Sequence, residues 1–484
     1  MIKFDLISKN KASEPLPVLF KCYLFFYSML MRAVAPLLYF KAIRRGRTEP
    51  GYLYAINERF ANYEASAGYL KQFKEGAIWI HAVSLGETRA AQVLVKAILE
   101  GAEEKLETDI TLGNNDKACK DVRFLLTHST ATGRQAGLEL IQNLGLNETN
   151  SLQVWYPWDT PGGVYRFLAQ FKPKLGLLME TEVWPNMVIE CYKAKLPLIL
   201  VNARMNEKSF KSAIALGDFA KNVYKRLTAV VAQTPEDAER LYQLNAPVIG
   251  SLGNLKFDAS VNLDQLSSGK TFSDQYYQKY RKPIILFASS REGEEAQLFH
   301  ALLANRSLTQ SVQWLIVPRH PQRFDEVRNI GLQFGFAVSK RVHQSVISPG
   351  INYFEQNVLN PNLVSDIWIG DSVGEMPLYY GMASASLLGG SFEALGGQNL
   401  IEAAACGCPV VMGPHVFNFA QAAQHSIARG AAIQVRTLHE AAILATQIAL
   451  DRARQEQMSA LAIEFALDNR GAVSKTLDAL RTYL

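Results

Sequence analysis

Cysteine is scarce in this chain, with Cys22, Cys119, Cys191, Cys406 and Cys408 as the only five in 484 residues. Few and scattered, they exclude a disulfide scaffold and read as reduced thiols of a cytosolic compartment. Cys406-Gly-Cys408 lacks the two-residue spacer of a zinc or redox pair. No Asp-x-Asp pair occurs, so a metal-held nucleotide diphosphate is not signalled, and the eight histidines show no metal-ligand spacing. No cofactor or metal is therefore indicated. A Rossmann glycine fingerprint is missing after the first strand-like run, and Gly269-Lys-Thr271 has Asp264 where a P-loop needs its first glycine. Excess charge is also missing: 50 basic against 45 acidic residues leave +5, too mild to indicate a nucleic-acid partner. With 48% hydrophobic and 20% charged residues, disorder is excluded. At roughly 150 residues per domain, the length predicts two or three domains.

What is present begins with an apolar run over Pro17–Phe40, uncharged from Cys22 to Met31 and interrupted by Arg32. A membrane span needs about 20 apolar residues, and a central Arg costs about 2.5–3.5 kcal/mol. A helix lying in the interface, with Lys21 and Arg32 snorkelling, fits as well. A buried helix of a soluble domain is the third reading. Lys41, Arg44, Arg45 and Arg47 follow and would attract anionic lipid on the cytoplasmic side. Ala33-Val-Ala35 spells a cleavage site, yet Pro36 follows and the apolar run continues, so a removed signal is not expected.

Beyond Arg47, aliphatic runs alternate with helical patterns. Ala77–Val83, Arg123–Thr127, Leu175–Met179, Leu196–Val201 and Ala229–Ala232 read as strands of a βαβ series. Asn254–Tyr280 is polar and reads as an interdomain linker. A second series follows: Ile284–Ala288, Trp314–Val317, Asp366–Ile369, Ala385–Leu388 and Pro409–Met412. The pattern predicts an α/β chain with two doubly wound, Rossmann-like domains. Expected boundaries are 1–47 for a membrane-associated segment, 48–258, a linker at 259–280, and 281–484 with C-terminal helices. Glu103–Val122 reads as a surface insertion.

Five loops after strand ends carry candidate chemistry, because ligands of open α/β sheets bind there. Ser84-Leu-Gly86-Glu87 is either a capping box or the seat of a general base, and the two are compatible. Glu180 and Glu182 in Met179-Glu-Thr-Glu-Val-Trp-Pro-Asn186 either complement a helix dipole or hold a polar sugar or a cation. Arg319 in Pro318-Arg-His-Pro321 is either solvated or a phosphate partner. Gly389-Gly390 and Gly396-Gly397-Gln398-Asn399 precede Glu402; they either pack helix against sheet or cradle a phosphate and ribose. Gly370-Asp-Ser-Val-Gly374 offers a close approach at Gly374, a cap by Ser372, or a weak match to a hydrolase elbow.

Taken as an ordered set, further strings point one way. They include Arg45-Gly-Arg47, Glu58-Arg-Phe60, His81-Ala-Val-Ser-Leu-Gly-Glu87, Thr130-Ala-Thr-Gly133, Asn202-Ala-Arg204 and Gly253-Asn-Leu-Lys-Phe-Asp258. Glu292-Gly-Glu-Glu295 and Gly413-Pro-His-Val-Phe-Asn418 complete them. Over nearly its whole length the chain resembles the 3-deoxy-D-manno-octulosonic acid (Kdo) transferases of lipid A biosynthesis. That resemblance implies a GT-B fold, two Rossmann-like domains facing a central cleft. It implies CMP-Kdo as donor, a lipid A precursor as acceptor, and inverting, metal-independent transfer at the cytoplasmic face of the inner membrane. Glu87 would be the general base. Arg319, Gly374, Gly396, Gly397, Asn399, Glu402 and Lys256 would bind the donor, with Lys256 meeting the Kdo carboxylate. Ser84, Gly86, Glu180, Glu182 and Arg204 would line the acceptor side. Gln398 and Ser290-Arg291 stand where many relatives have histidines. The competing expectations are another GT-B nucleotide-sugar transferase, a sugar epimerase, or a non-catalytic membrane-bound nucleotide-binding scaffold.

Overall fold

A computed structural model describes residues 14–64, 76–111, 122–340 and 365–484. The chain forms two compact units, Met1–Ala259 with Arg470–Leu484, and Ser260–Asn469. The last 15 residues, expected with the second domain, thus belong to the first. Asp258 fixes them there, its carboxylate accepting the N–H groups of Gly471 at 2.6 Å and Val473 at 2.8 Å.

Each unit is built on a seven-stranded, all-parallel sheet. The first contains β1 (Ile78–His81), β2 (Phe124–His128), β3 (Ser151–Trp155), β4 (Leu175–Met179), β5 (Leu198–Ala203), β6 (Ala229–Ala232) and β7 (Val248–Ser251), in spatial order 3-2-1-4-5-6-7. In register, Ile80 lies between Leu126 and Leu177. Side chains alternate between two covered faces, Trp79, Leu125 and Val154 on one and Ile78, Ile80 and Phe124 on the other. Burial of both faces is why these strands read as unbroken apolar runs. The second sheet contains β8 (Ile284–Ser290), β9 (Gln313–Pro318), β10 (Val338–Lys340), β11 (Ile367–Ile369), β12 (Ala385–Leu388), β13 (Val410–Met412) and β14 (Ala432–Gln434), in order 10-11-9-8-12-13-14. The switch points, where the strands on either side lead off in opposite directions, lie between β1 and β4 and between β8 and β12.

The expected linker is not irregular. Leu263–Tyr280 is an 18-residue helix, capped by the Asn262 side chain on Gln265 N–H, and it belongs to the second unit. It packs on Met376–Met382 through facing glycines: a Cβ on Gly269 would collide with Leu378 O, and one on Gly381 with Leu266 O. Of the expected insertion, the helix from Leu85 continues to Thr111, and 112–121 lie outside the described residues. The N-terminal apolar run is a helix, Val18–Gly46, long and apolar enough to cross a membrane. Only 11% of its most apolar window is buried, which removes the reading of a core helix.

Candidate active site

The switch point of the first sheet gathers the acidic residues. Glu87 lies in the first turn of the Leu85–Thr111 helix, directly after β1. Its carboxylate accepts Val83 N–H at 2.7 Å and the Ser84 hydroxyl at 3.1 Å, while Glu87 N–H donates back to Ser84 Oγ at 3.3 Å. The capping geometry is therefore real, and it holds the carboxylate in one place. Thr130 braces the same loop, its hydroxyl donating to Val83 O at 2.7 Å. Gly133 lets the next helix approach Val83 O more closely than any Cβ allows.

Glu180 and Glu182 enter from the other side of the switch, after β4. Glu180 is buried and holds a left-handed backbone (φ 56°), as does Asn202 (φ 54°) on adjacent β5. Such conformations cost on the order of 1 kcal/mol or more in non-glycine residues and persist where surrounding bonds enforce them. Here Glu180 N–H donates to Val201 O at 3.0 Å, Arg204 N–H to Glu180 O at 3.1 Å, and Leu255 N–H to Asn202 Oδ1 at 3.1 Å. That last bond seats the short turn carrying Lys256, whose Nζ lies 2.6 Å from Glu180 Oε1. A Cβ on Gly86 would stand 3.8 Å from the same ammonium. Lys256, expected on the donor side, is thus placed in the first unit beside the carboxylates. Glu182 accepts Trp184 Nε1–H at 2.9 Å. His81 lies beneath, its Nε2 3.9 Å from Glu182 Oε2; burial above all lowers its pKa to about 3, so it is neutral.

Three neighbouring carboxylates, of which Glu180 is paired with the Lys256 ammonium, cannot all ionise cheaply. Glu87 is pushed up to about 8, first by burial and then by Glu182 and Glu180, against the pull of Val83 N–H and the Ser84 hydroxyl. Burial also raises Glu182. Because the folded pKa of Glu87 exceeds its ordinary 4.5, the stability it lends is full below that value and drains away as pH rises through about 8. The slope is roughly 1.4 kcal/mol per pH unit in between. Glu87→Gln removes it. Melting temperatures of variant and wild type should therefore diverge between pH 5 and pH 9 in the variant's favour; parallel curves would show that Glu87 does not titrate there.

At the switch point of the second sheet the charge is positive. Arg319 follows β9, its N–H bonded to Ser290 O at 3.0 Å and its Nε donating to Gln398 Oε1 at 3.1 Å. His320 beside it is lowered by burial and then by the charges of Arg291 and Arg319. The Arg291 and Arg319 guanidinium groups beside it supply positive charge suited to an anion.

The glycine loops divide. Glu294, fully buried, accepts the N–H groups of Arg291 at 2.9 Å, Gly390 at 2.8 Å and Phe392 at 3.0 Å. Gly389-Gly390 is therefore a turn clamped by a carboxylate, not an open phosphate cradle. Gly397, expected to offer its N–H to a phosphate, donates it to Gly390 O at 2.7 Å instead. Gly396 (φ 90°) fits closely against Asn418 and Phe417, and Gly374 (φ 81°) has open space where a Cβ would be. Asn399 caps the Leu400–Ala405 helix through Ile401 N–H at 3.1 Å, with Glu402 half-buried one turn on. Ser372 Oγ is 2.6 Å from Tyr379 OH in a nearly buried setting, unlike the exposed serine of a hydrolase elbow. The string Glu58-Arg-Phe60 is a clamp on β3: Glu58 Oε2 accepts Trp155 N–H at 2.8 Å, and Arg59 lies 4.0 Å over the Trp155 ring. Glu294 is the structural contributor that the sequence does not reveal, and Gln398, read with the glycine loop as a ligand group, instead orients Arg319. The four described cysteines are free thiols.

Two parallel, doubly wound sheets, with carboxylates at the switch point of one and guanidinium groups near that of the other, give the chain the architecture of the GT-B class. Residues 54–259 match the family model of the 3-deoxy-D-manno-octulosonic-acid transferases. The chain is 39% identical to the 3-deoxy-D-manno-octulosonic acid transferase of Bordetella pertussis, over 95% of this chain and 99% of that protein. It belongs to the Kdo transferase family. In fold it is similar to the UDP-GlcNAc 2-epimerase of Neisseria meningitidis, at 14% identity over 84% of this chain and all of that one, TM-score 0.51. A glycosyltransferase of Rickettsia africae is similar at 12% identity over 85% of this chain and 99% of that one, TM-score 0.51. The epimerase fold and the transferase fold are thus shared, and the sequence likeness assigns the chain to the transferases.

Proposed function

We propose that this enzyme moves Kdo from CMP-Kdo to a lipid A precursor (lipid IVA) at the cytoplasmic face of the inner membrane, with inversion and without a metal. The observation that carries the reading is Glu87: a buried carboxylate with a pKa near 8, held by Val83 N–H and Ser84 at a switch point. A base that titrates near working pH is matched to removing a proton from a sugar hydroxyl. In the transfer, the acceptor O–H gives its proton to Glu87. The acceptor oxygen bonds to the anomeric carbon of Kdo, and the bond from that carbon to the phosphate oxygen breaks, releasing CMP.

Arg319 binds the phosphate, its fork oriented by Gln398. The backbone at Gly374 and Gly396 approaches the nucleotide. Asn399, through the amide nitrogen its cap does not use, meets phosphate, and Glu402 meets ribose. Ser84, Gly86, Glu180, Glu182 and Arg204 serve the acceptor side. Lys256 exchanges its pairing with Glu180 for the carboxylate of the sugar acid. Lys41, Arg44 and Arg47, all exposed, attract anionic lipid; Arg45 is shared with Glu49, 3.1 Å away.

The test is transfer by the full chain, in detergent with EDTA, from CMP-Kdo to the tetraacylated disaccharide, with lipid-linked Kdo and CMP release both measured. Transfer with CMP-Kdo and none with UDP-sugars is expected. No transfer to a verified acceptor, or the reverse donor preference, overturns the reading. For the nucleotide site, Arg319→Ala should weaken CMP binding by about 10- to 100-fold, the worth of one charged hydrogen bond. Titration calorimetry with CMP checks it; unchanged affinity would remove Arg319 from the site.

A further inference from the structure

The N-terminal helix is attached to the first unit at both ends and in the middle. Before its first turn, Glu14 Oε2 pairs with Lys225 Nζ at 2.7 Å, and the Tyr192 hydroxyl donates to Glu14 O at 3.2 Å. In the first turn, Phe20 is buried, with its ring 5.6 Å from that of Phe219 and under the Arg226 guanidinium at 5.2 Å. At mid-helix, Tyr27 OH donates to Asp159 Oδ2 at 2.9 Å, and Ser28 Oγ to Asn186 Oδ1 at 3.0 Å. Near the far end, the Tyr39 ring lies 5.6 Å from that of Phe60, and Gly46 gives passage to the Leu53 side chain. Phe20, Leu24, Ser28, Ala35, Ala42 and Gly46 mark the docked stripe, recurring at helical spacings of four and seven.

A helix of 29 residues is about 43 Å long. A spanning helix has its ends on opposite sides of a hydrocarbon layer about 30 Å thick. Here both ends meet one folded unit, so the helix runs along that unit. The face turned away is apolar and uncovered: Val18, Phe25, Phe26, Leu30, Leu37 and Phe40 are each at least 59% exposed. Lys21, Arg32, Lys41, Arg44 and Arg47 are exposed along the same helix and just past its end. An apolar row bordered by cations fits an anionic phospholipid surface.

We infer that the Val18–Gly46 helix lies in the plane of the membrane as a monotopic float, with its Phe and Leu row among the acyl chains, and does not cross the bilayer. The inference rests on the membrane location proposed above and adds the orientation. It has a consequence for the site. Asp159, which bonds Tyr27, also accepts Asn186 N–H at 3.0 Å and Met187 N–H at 2.8 Å, capping the helix that follows the Glu180–Trp184 loop. The lipid-bearing helix therefore rests on the same element that carries the acidic loop, which ties the acceptor side to the bilayer surface.

The test uses the full chain with Cys22 and Cys119 changed to Ser, reconstituted in vesicles containing phosphatidylglycerol. Flotation with these vesicles is expected. No flotation, or a dimer in place of vesicle binding, refutes the membrane location itself. In the floated fraction, the Glu14→Cys/Lys225→Cys pair should cross-link with a short bis-maleimide to near completion. A thiol at Ser8→Cys and one at the exposed Glu139→Cys should react with impermeant maleimide from the same side. Flotation without cross-linking, and with the Ser8→Cys thiol reacting only from the opposite side, overturns the in-plane orientation while leaving membrane binding intact. Neither readout depends on Kdo transfer.

Discussion

Glu87→Gln is expected to lower kcat about a thousandfold while the protein stays folded. The amide keeps an oxygen for Val83 N–H, whose bond to the carboxylate is 2.7 Å, and Ser84 Oγ still caps the helix through residue 87 N–H at 3.3 Å. What disappears is the ability to take a proton. KM for the donor should change little, because Glu87 belongs to the first unit and Arg319 to the second. A loss confined to kcat identifies an interaction made in the transition state. Melting at pH 5 should match wild type, since the native carboxyl is protonated there. A variant turning over at the wild-type rate would reduce Glu87 to a cap and move the base to Glu180 or Glu182.

Glu294→Ala is expected to unfold or loosen the second unit at temperatures where wild type is intact. Its carboxylate satisfies three backbone N–H groups, at 2.8 to 3.0 Å, drawn from the loops after β8 and β12. Each N–H left without a partner costs about 1–3 kcal/mol, so the loss should be on the order of 4 kcal/mol. Those loops flank the basic switch point, so CMP affinity should fall with stability. Glu292, two residues away with its side chain 53% exposed, supplies the contrast. Glu292→Ala should alter stability by no more than about 0.5 kcal/mol. Urea unfolding followed through both units separates the two; equal behaviour of the variants would refute the clamp.

The strands legible in the sequence were those buried on both faces by apolar residues, such as Leu175–Met179 and Ile284–Ala288. Ser151–Trp155 escaped notice because Ser151 and Gln153 are buried polar residues satisfied by tertiary bonds, Gln153 Nε2 donating to Arg134 O at 2.7 Å. Edge strands Val248–Ser251, Val338–Lys340 and Ala432–Gln434 are short and half-covered, with no periodic signal to give. The Leu263–Tyr280 helix reads as a linker because it packs by backbone approach at Gly269 and buries few apolar side chains, Phe272 and Tyr276 among them. In the site, Glu87, Glu180, Glu182 and Arg319 were legible since each follows an apolar strand end. The difference between Gly389-Gly390 as cradle and as clamped turn was not, because it depends on Glu294, about a hundred residues away in sequence.

The central claim is that Glu87 removes the acceptor proton, and CMP release across pH 6 to 9.5 tests it most directly. Wild type and Glu87→Gln should be compared at saturating CMP-Kdo and acceptor, in EDTA. The account predicts a wild-type rate that climbs about tenfold per pH unit and levels near pH 8, over a low and flat rate in the variant. A wild-type rate independent of pH through this range, or the same climb in the variant, would contradict it.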